Sequence, residues 1–180
     1  MEQSVFNVLF LCNSNSVRSI MAEKLMEHWG KGRFRAYSAG SSPNGQVNPM
    51  AIKTLESHGL NANGLRSKSW DEFAGVSAPH LDFVFTVCDD AAGEVCPIWP
   101  GQPMTAHWGI EDPVAVTGTD KEKLLAFQRS CRYLEMRIKL FIALPIETLN
   151  RIKIKNEIEA IGAIKEDNQK WQSNLEIMKV

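Results

Sequence analysis

The chain has 180 residues, with 20 Lys and Arg against 21 Asp and Glu and a formal net charge of −1. Such a balance offers no basic patch to nucleic acid and no electrostatic reason to sit on an anionic membrane surface. No apolar run approaches the roughly 18 residues of a spanning helix, the start MEQSVFNVLF lacks a basic n-region, and four cysteines do not make a disulfide scaffold, so a cytoplasmic location is expected.

The length suits one globular domain with some residues to spare. Residues 5–11 (VFNVLFL) are an apolar, strand-like run that stops at Cys12. A short polar stretch follows, and from Ile20 the pattern IMAEKLME has helical spacing up to a stop at Gly30-Lys31-Gly32. FRAYSA at 34–39 alternates as a second strand, and GSSPNG turns the chain. Asn48 and Pro49 read as cap and first residue of a helix that runs to Gly59. A short helix is predicted over 70–73, a third strand over 81–87 ending at Cys88, and a fourth over 104–108. A long amphipathic helix covers 120–144 until Pro145 breaks it.

Beyond Pro145, residues 146–164 keep helical periodicity and 165–180 are polar and less regular. The chain therefore divides into a main domain, 1–145, and a C-terminal helical extension or tail, 146–180. Strands alternating with helices predict an α/β fold with a doubly wound parallel sheet and its site at the strands' carboxyl ends. Cys12, Cys88 and Asp112 each follow a predicted strand, which places all three at that edge.

A strand that runs through a short loop into a helix N-terminus makes an anion site. The loop and first-turn N–H groups point inward, and the helix dipole favours negative charge there. Asn13, Ser14, Asn15, Ser16, Val17, Arg18 and Ser19 supply that cradle. A cysteine at its start adds chemistry, because a helix N-terminus and an arginine ease a thiol's ionisation and make Cys12 a nucleophile near neutral pH. Arg18 offers a planar fork to two oxygens of a tetrahedral oxyanion. Ser19 can donate to the Cys12 sulfur or cap the first turn, and Asn15 is expected to shape the loop through its side chain. The bland alternative is a buried core cysteine ahead of a polar turn.

Asp112, after HWGIE, can protonate a departing oxygen, although Asp-Pro alone is ordinary turn chemistry. Cys88 and Cys96 flank a step rich in Asp, Ala and Gly that can bend. A dithiol supplies two electrons as it closes to a disulfide; two structural cysteines or half a zinc site stay open as alternatives. His28, His58, His80 and His107 are scattered, so no metal is predicted. Cys131, inside the long helix, reads as a small apolar residue. Trp99 and Trp108 read either as pocket walls or as core.

The spacing Cys12-x5-Arg18-Ser19, with Asn15 and Ser16 inside it, closely resembles the signature loop of the low-molecular-weight phosphatase superfamily, which includes arsenate reductases. Trp108-Gly109 followed by Asp112-Pro113 resembles the general-acid loop of those reductases. Tyrosine phosphatases of the same framework usually carry an aromatic residue soon after Asp-Pro, whereas Val114-Ala115-Val116-Thr117-Gly118 follows here. TVCDDAAGEVCPIWPG resembles the redox segment of reductases served by thioredoxin-type donors.

The resemblance covers roughly residues 5–145, with some continuation to about 163. It implies a four-stranded parallel sheet with helices on both faces, in a flavodoxin-like topology. It implies reduction of arsenate, with phosphate or sulfate as analogues, for arsenic detoxification. Cys12 attacks, Cys88 closes a Cys12–Cys88 disulfide, and Cys96 moves it to Cys88–Cys96. No cofactor is bound; an external thiol donor, thioredoxin or glutaredoxin with thioredoxin the better match, completes the cycle. The alternative is a phosphatase for phosphotyrosine or aryl phosphates that uses Cys12, Arg18 and Asp112 alone. A third reading is a non-catalytic oxyanion-binding module whose tail is the working surface. Glu23 and Ser38 match positions that bind potassium in some relatives, but Lys68 stands where an acidic partner is expected, and its ammonium can take the cation's place.

Overall fold

The computed structural model of the protein describes residues 5–89, 93 and 97–165. Four strands, β1 (Phe6–Cys12), β2 (Phe34–Gly40), β3 (Phe83–Thr86) and β4 (Met104–His107), form one parallel sheet in the order β2-β1-β3-β4. The helices α1 (Arg18–Trp29), α2 (Pro49–Ser57), α3 (Asp120–Ile142) and α4 (Arg151–Gly162) accompany it. Two 3₁₀ turns lie at Trp70–Phe73 and Pro113–Ala115. No helix among the described residues is long and apolar enough to cross a membrane.

The strand order explains where a site can form. From β1 the chain winds outward to β2, then crosses back to β3 on the other side of β1. The loops leaving β1 and β3 therefore part, and a crevice opens at their carboxyl ends. Cys12 closes β1 and pairs with Gly40 of β2, while Leu11 pairs with Thr86 of β3 and Thr86 with His107 of β4.

Both sheet faces are buried, which is why β1 reads as a nearly unbroken apolar run. Val8, Phe10 and Cys12 lie in one cluster with Met21 and Leu25 of α1, Leu55 of α2, and Phe127, Leu134 and Phe141 of α3. Leu9 and Leu11 point the other way, into a smaller cluster with Ala39, Phe73, Leu81, Val84 and Trp99.

Some boundaries differ from the sequence reading, for local reasons. α1 begins at Arg18 rather than Ile20, with Val17 as its N-cap and no side-chain cap bond, so Ser19 does not cap the helix. The periodicity from Ile146 overreaches: Thr148 and Leu149 N–H groups both bond the Pro145 carbonyl in a turn, and α4 starts only where Asn150 accepts from Lys153 N at 2.9 Å. Ile146, Ile154, Ile158 and Ile161 are buried in the same core as the sheet.

α4 lies against β4, the sheet edge. Arg151 Nη2 donates to the Gln102 carbonyl at 2.8 Å, and Lys155 Nζ donates to the Thr105 carbonyl. Lys155 thus occupies a backbone acceptor that the edge strand otherwise leaves open to another strand, and Arg151 fastens the residues just before it.

Candidate active site

The loop after β1 is held from outside by its carbonyls. The Asn13 carbonyl accepts from Ser42 N at 3.0 Å, Ser14 from Asn44 N at 3.2 Å, and Ser16 from Asn48 N at 3.0 Å. In a trans peptide the carbonyl of one residue and the N–H of the next point in opposite directions. The N–H groups of Ser14, Asn15 and Val17 therefore face the inside of the loop, where an oxyanion would sit. Gly40 makes the fit possible, because a Cβ there would lie 2.3 Å from the Asn13 carbonyl oxygen.

Asn15 turns the loop. Its φ of 46° is left-handed, a conformation asparagine tolerates better than most residues. The fully buried side chain holds it: Nδ2 donates to Ser19 Oγ at 2.9 Å and Ser38 Oγ at 3.0 Å, and Oδ1 accepts from Lys68 N at 2.8 Å. Beneath it, Lys68 Nζ lies 3.1 Å from Glu23 Oε2, 3.2 Å from Ser38 Oγ and 3.2 Å from the Arg66 carbonyl. Ser38 also donates to Glu23. The ammonium stands among those oxygens as a fixed positive charge.

Above the loop two thiols meet. Cys12 and Cys88 are both reduced and buried, and their side chains are within hydrogen-bond reach of each other. Asn13 N donates to Cys88 Sγ at 3.3 Å, so the first amide of the cradle serves the second cysteine. The hydrogen bond with Cys88 and then burial push the Cys12 thiol up, while Arg18 works against them. Arg18 thus acts in the direction expected from the sequence, and Cys88 opposes it. The two sulfurs titrate as a pair: once one is a thiolate, the other thiol resists losing its proton.

Replacing Cys88 by alanine removes the largest cause, so the pH midpoint for alkylation of Cys12 is expected to move down, as rates with iodoacetamide against pH would show. Stability follows the same sign. A raised thiol contributes stability that is fully present below the unfolded value of about 8.5 and is lost as pH rises beyond it, at up to about 1.4 kcal/mol per pH unit. Denaturant titrations should give a shallower alkaline decline in Cys88→Ala.

Arg18 and Asp112 complete the edge. Arg18 Nη1 donates to the Ile110 carbonyl at 3.0 Å, and Nη2 lies 3.4 Å from Asp112 Oδ2. Asp112 also caps the following 3₁₀ turn, accepting from Val114 N at 3.1 Å. One sheet edge thus gathers a cysteine, a second thiol, a guanidinium and a half-exposed carboxylate around inward N–H groups.

The family model of low molecular weight phosphotyrosine protein phosphatases matches residues 7–155. The chain belongs to that family. Its relatives within this phosphatase family include reductases. It is 37% identical over 134 residues to an arsenate reductase of Shouchella clausii, covering 74% of this chain and 93% of the relative. A solved arsenate reductase in its phosphate binding state superposes with a TM-score of 0.64 at 28% identity, covering 77% of this chain and 98% of that one. A thioredoxin-dependent arsenate reductase of Corynebacterium glutamicum gives a TM-score of 0.52 at 25% identity, over 78% of this chain and 65% of that one.

Of the residues singled out in the sequence, Cys12, Arg18, Cys88 and Asp112 come together at the loop after β1, with Asn13 to Ser19 around them. Cys96 lies outside the described residues. Ser19 accepts from Asn15 inside the first helical turn. Trp108 is fully buried and stacks on Phe85 at 3.9 Å, and Trp99 is also in the core. Cys131 is buried, and burial first, then Glu135, pushes its thiol up to about 12.

Two groups were not legible beforehand. Thr86 Oγ1, His107 Nδ1, His107 Nε2 and Asp89 Oδ1 form a chain with steps of 2.8 and 2.9 Å, tying the residue after Cys88 to β4. Arg137, buried in α3, donates to the Trp108 carbonyl at 2.6 Å and the Gly109 carbonyl at 3.0 Å. A basic residue amid the apolar face of the long helix was the only available sign of the second.

Proposed function

We propose that this chain is an arsenate reductase working through a thiol relay. The observation that carries the reading is Cys88, which sits against Cys12 and accepts the N–H of Asn13 in the anion loop. Phosphoester hydrolysis regenerates its thiolate with water and has no use for a second thiol at that place. Reduction of As(V) to As(III) needs two electrons, and a dithiol provides them as it becomes a disulfide.

In the proposed cycle, arsenate occupies the loop, held by its inward N–H groups and by Arg18. Arg18 turns from Asp112 toward the oxyanion, leaving the Asp112 carboxyl to act as acid. The Cys12 thiolate attacks arsenic, an As–O bond breaks, and Asp112 passes a proton to the departing hydroxide so that it leaves as water. The Cys88 thiolate then attacks the Cys12 sulfur. The S–As bond breaks with its electron pair going to arsenic, so arsenite leaves and a Cys12–Cys88 disulfide remains. Cys96 attacks Cys88, releases the Cys12 thiolate and forms Cys88–Cys96, which an external dithiol of the thioredoxin class reduces. The reaction belongs to a reducing, cytoplasmic setting.

The test is arsenite production from arsenate, coupled to NADPH through thioredoxin and its reductase. Wild type is expected to turn over, Cys88→Ser to form no arsenite, and Cys96→Ser to stop after one equivalent with Cys12–Cys88 closed. Sustained cycling in Cys96→Ser would remove the last transfer. Brisk aryl-phosphate hydrolysis with no arsenite from wild type would hand the site to the phosphatase reading.

A further inference from the structure

We propose that Arg137 and helix α4 position the acid loop, so that proton donation by Asp112 depends on a helix some forty residues further along the chain. This rests on the reading of Asp112 as the general acid.

The loop from β4 to Asp112 is short and is fastened at its root from three sides. Arg137 Nη1 takes the carbonyls of Trp108 and Gly109, and its Nη2 takes the carbonyl of Ile164, just past α4, at 3.0 Å. The indole Nε1 of Trp108 donates to the Ile158 carbonyl inside α4 at 2.9 Å. Gly162 meets the end of β4 so closely that a Cβ there would lie 2.1 Å from the His107 carbonyl oxygen and 2.8 Å from Trp108 Cδ1. On the sheet side, Ile110 N bonds the Val87 carbonyl, one residue before Cys88.

A guanidinium is expensive to bury, and its planar fork is suited to fixing several acceptors in one geometry. Here those acceptors are the two carbonyls at the root of the acid loop and one at the end of α4. Only three residues separate Trp108 from Asp112, too few to absorb a shift at the root. Misplacement of a reacting group by about 1 Å can cost on the order of 10²-fold in rate. Arg137 acts through these backbone carbonyls; it is a positioning residue.

The discriminating experiment is a double-mutant cycle in the full-length protein, read as kcat and KM for thioredoxin-coupled arsenate reduction. Asp112→Asn is expected to lower kcat by about 10²-fold or more, the usual worth of a general acid. Arg137→Gln in the wild-type background is expected to lower kcat at least about 10-fold with KM within about twofold. With Asn at position 112 the same change should cost less than about twofold, because there is no longer an acid to misplace. Trp108→Phe, which keeps the stacked ring and deletes only the bond to Ile158, should follow the same pattern with a smaller loss. It carries the test if Arg137→Gln does not fold. Equal losses in both backgrounds, or no loss, would reduce Arg137 and α4 to a purely structural role. An Asp112→Asn enzyme with normal kcat would instead remove the acid reading itself.

Discussion

Replacing Cys12 by serine is expected to abolish arsenate turnover, with a loss on the order of 10⁶-fold, as for other enzymes stripped of their nucleophile. The same position serves twice. It is the group that attacks arsenic, and it is the sulfur on which the first disulfide closes. A serine hydroxyl in the same place stays protonated at neutral pH and has no S–S bond to offer, so neither step survives. The architecture should tolerate the change, because Cys12 ends a strand paired with Gly40 and Leu11 and its neighbours carry the packing. Phosphate binding is therefore expected to persist. Arsenite release and equilibrium phosphate binding, measured side by side, check this; retained turnover would mean that the reaction begins elsewhere.

The second large effect is on stability. Lys68→Met keeps the length of the side chain and deletes its charge. Glu23 would keep a carboxylate only 12% exposed with its cation removed, and Ser38 and the Arg66 carbonyl would lose a shared donor. Breaking one side of a buried pair costs about 3–5 kcal/mol, which in a chain of this size corresponds to a drop of about 10 °C in Tm. The damage should reach the anion loop, since Ser38 and Lys68 both hold the Asn15 side chain. Three oxygen groups would be left facing one space, the ligand chemistry of a hard cation. Potassium chloride should then recover part of the Tm, with little effect on wild type. Thermal unfolding of both proteins, with and without salt, decides it; an unchanged Tm would mean that the pair contributes nothing net.

The sequence carried the strand–loop–helix around Cys12 and the alternation of strands and helices because those signals are local. An apolar run, a loop of small polar residues and a periodic helix lie next to one another in the chain. Arg18 followed from the spacing of the loop motif, and Asp112 from the resemblance of its Asp-Pro loop. The Asn48 cap with Pro49 behind it was equally local, and Asn48 does accept from Met50 N at 2.8 Å. What escaped depends on distant partners. The Cys12 thiol is pushed up by Cys88, 76 positions away, and nothing in the loop itself reveals that neighbour. The start of α4 was misplaced because apolar spacing continues through the turn after Pro145, where Asn150 rather than periodicity decides. Arg137 looked like any charge on a long helix until the fold brought two carbonyls beneath it.

The cover over β4 also has a consequence for how the chain is made. The strand is complete once residue 107 has left the ribosome, but Lys155, which occupies its Thr105 carbonyl, and Arg151, which holds the Gln102 carbonyl just ahead of it, come later. During synthesis the sheet therefore passes through a stage in which a finished strand borders open water, a ready partner for the same strand of another nascent chain. Crowded polysomes and C-terminal proteolysis expose one and the same weakness: without α4 laid along it, the sheet is prone to pair edge to edge.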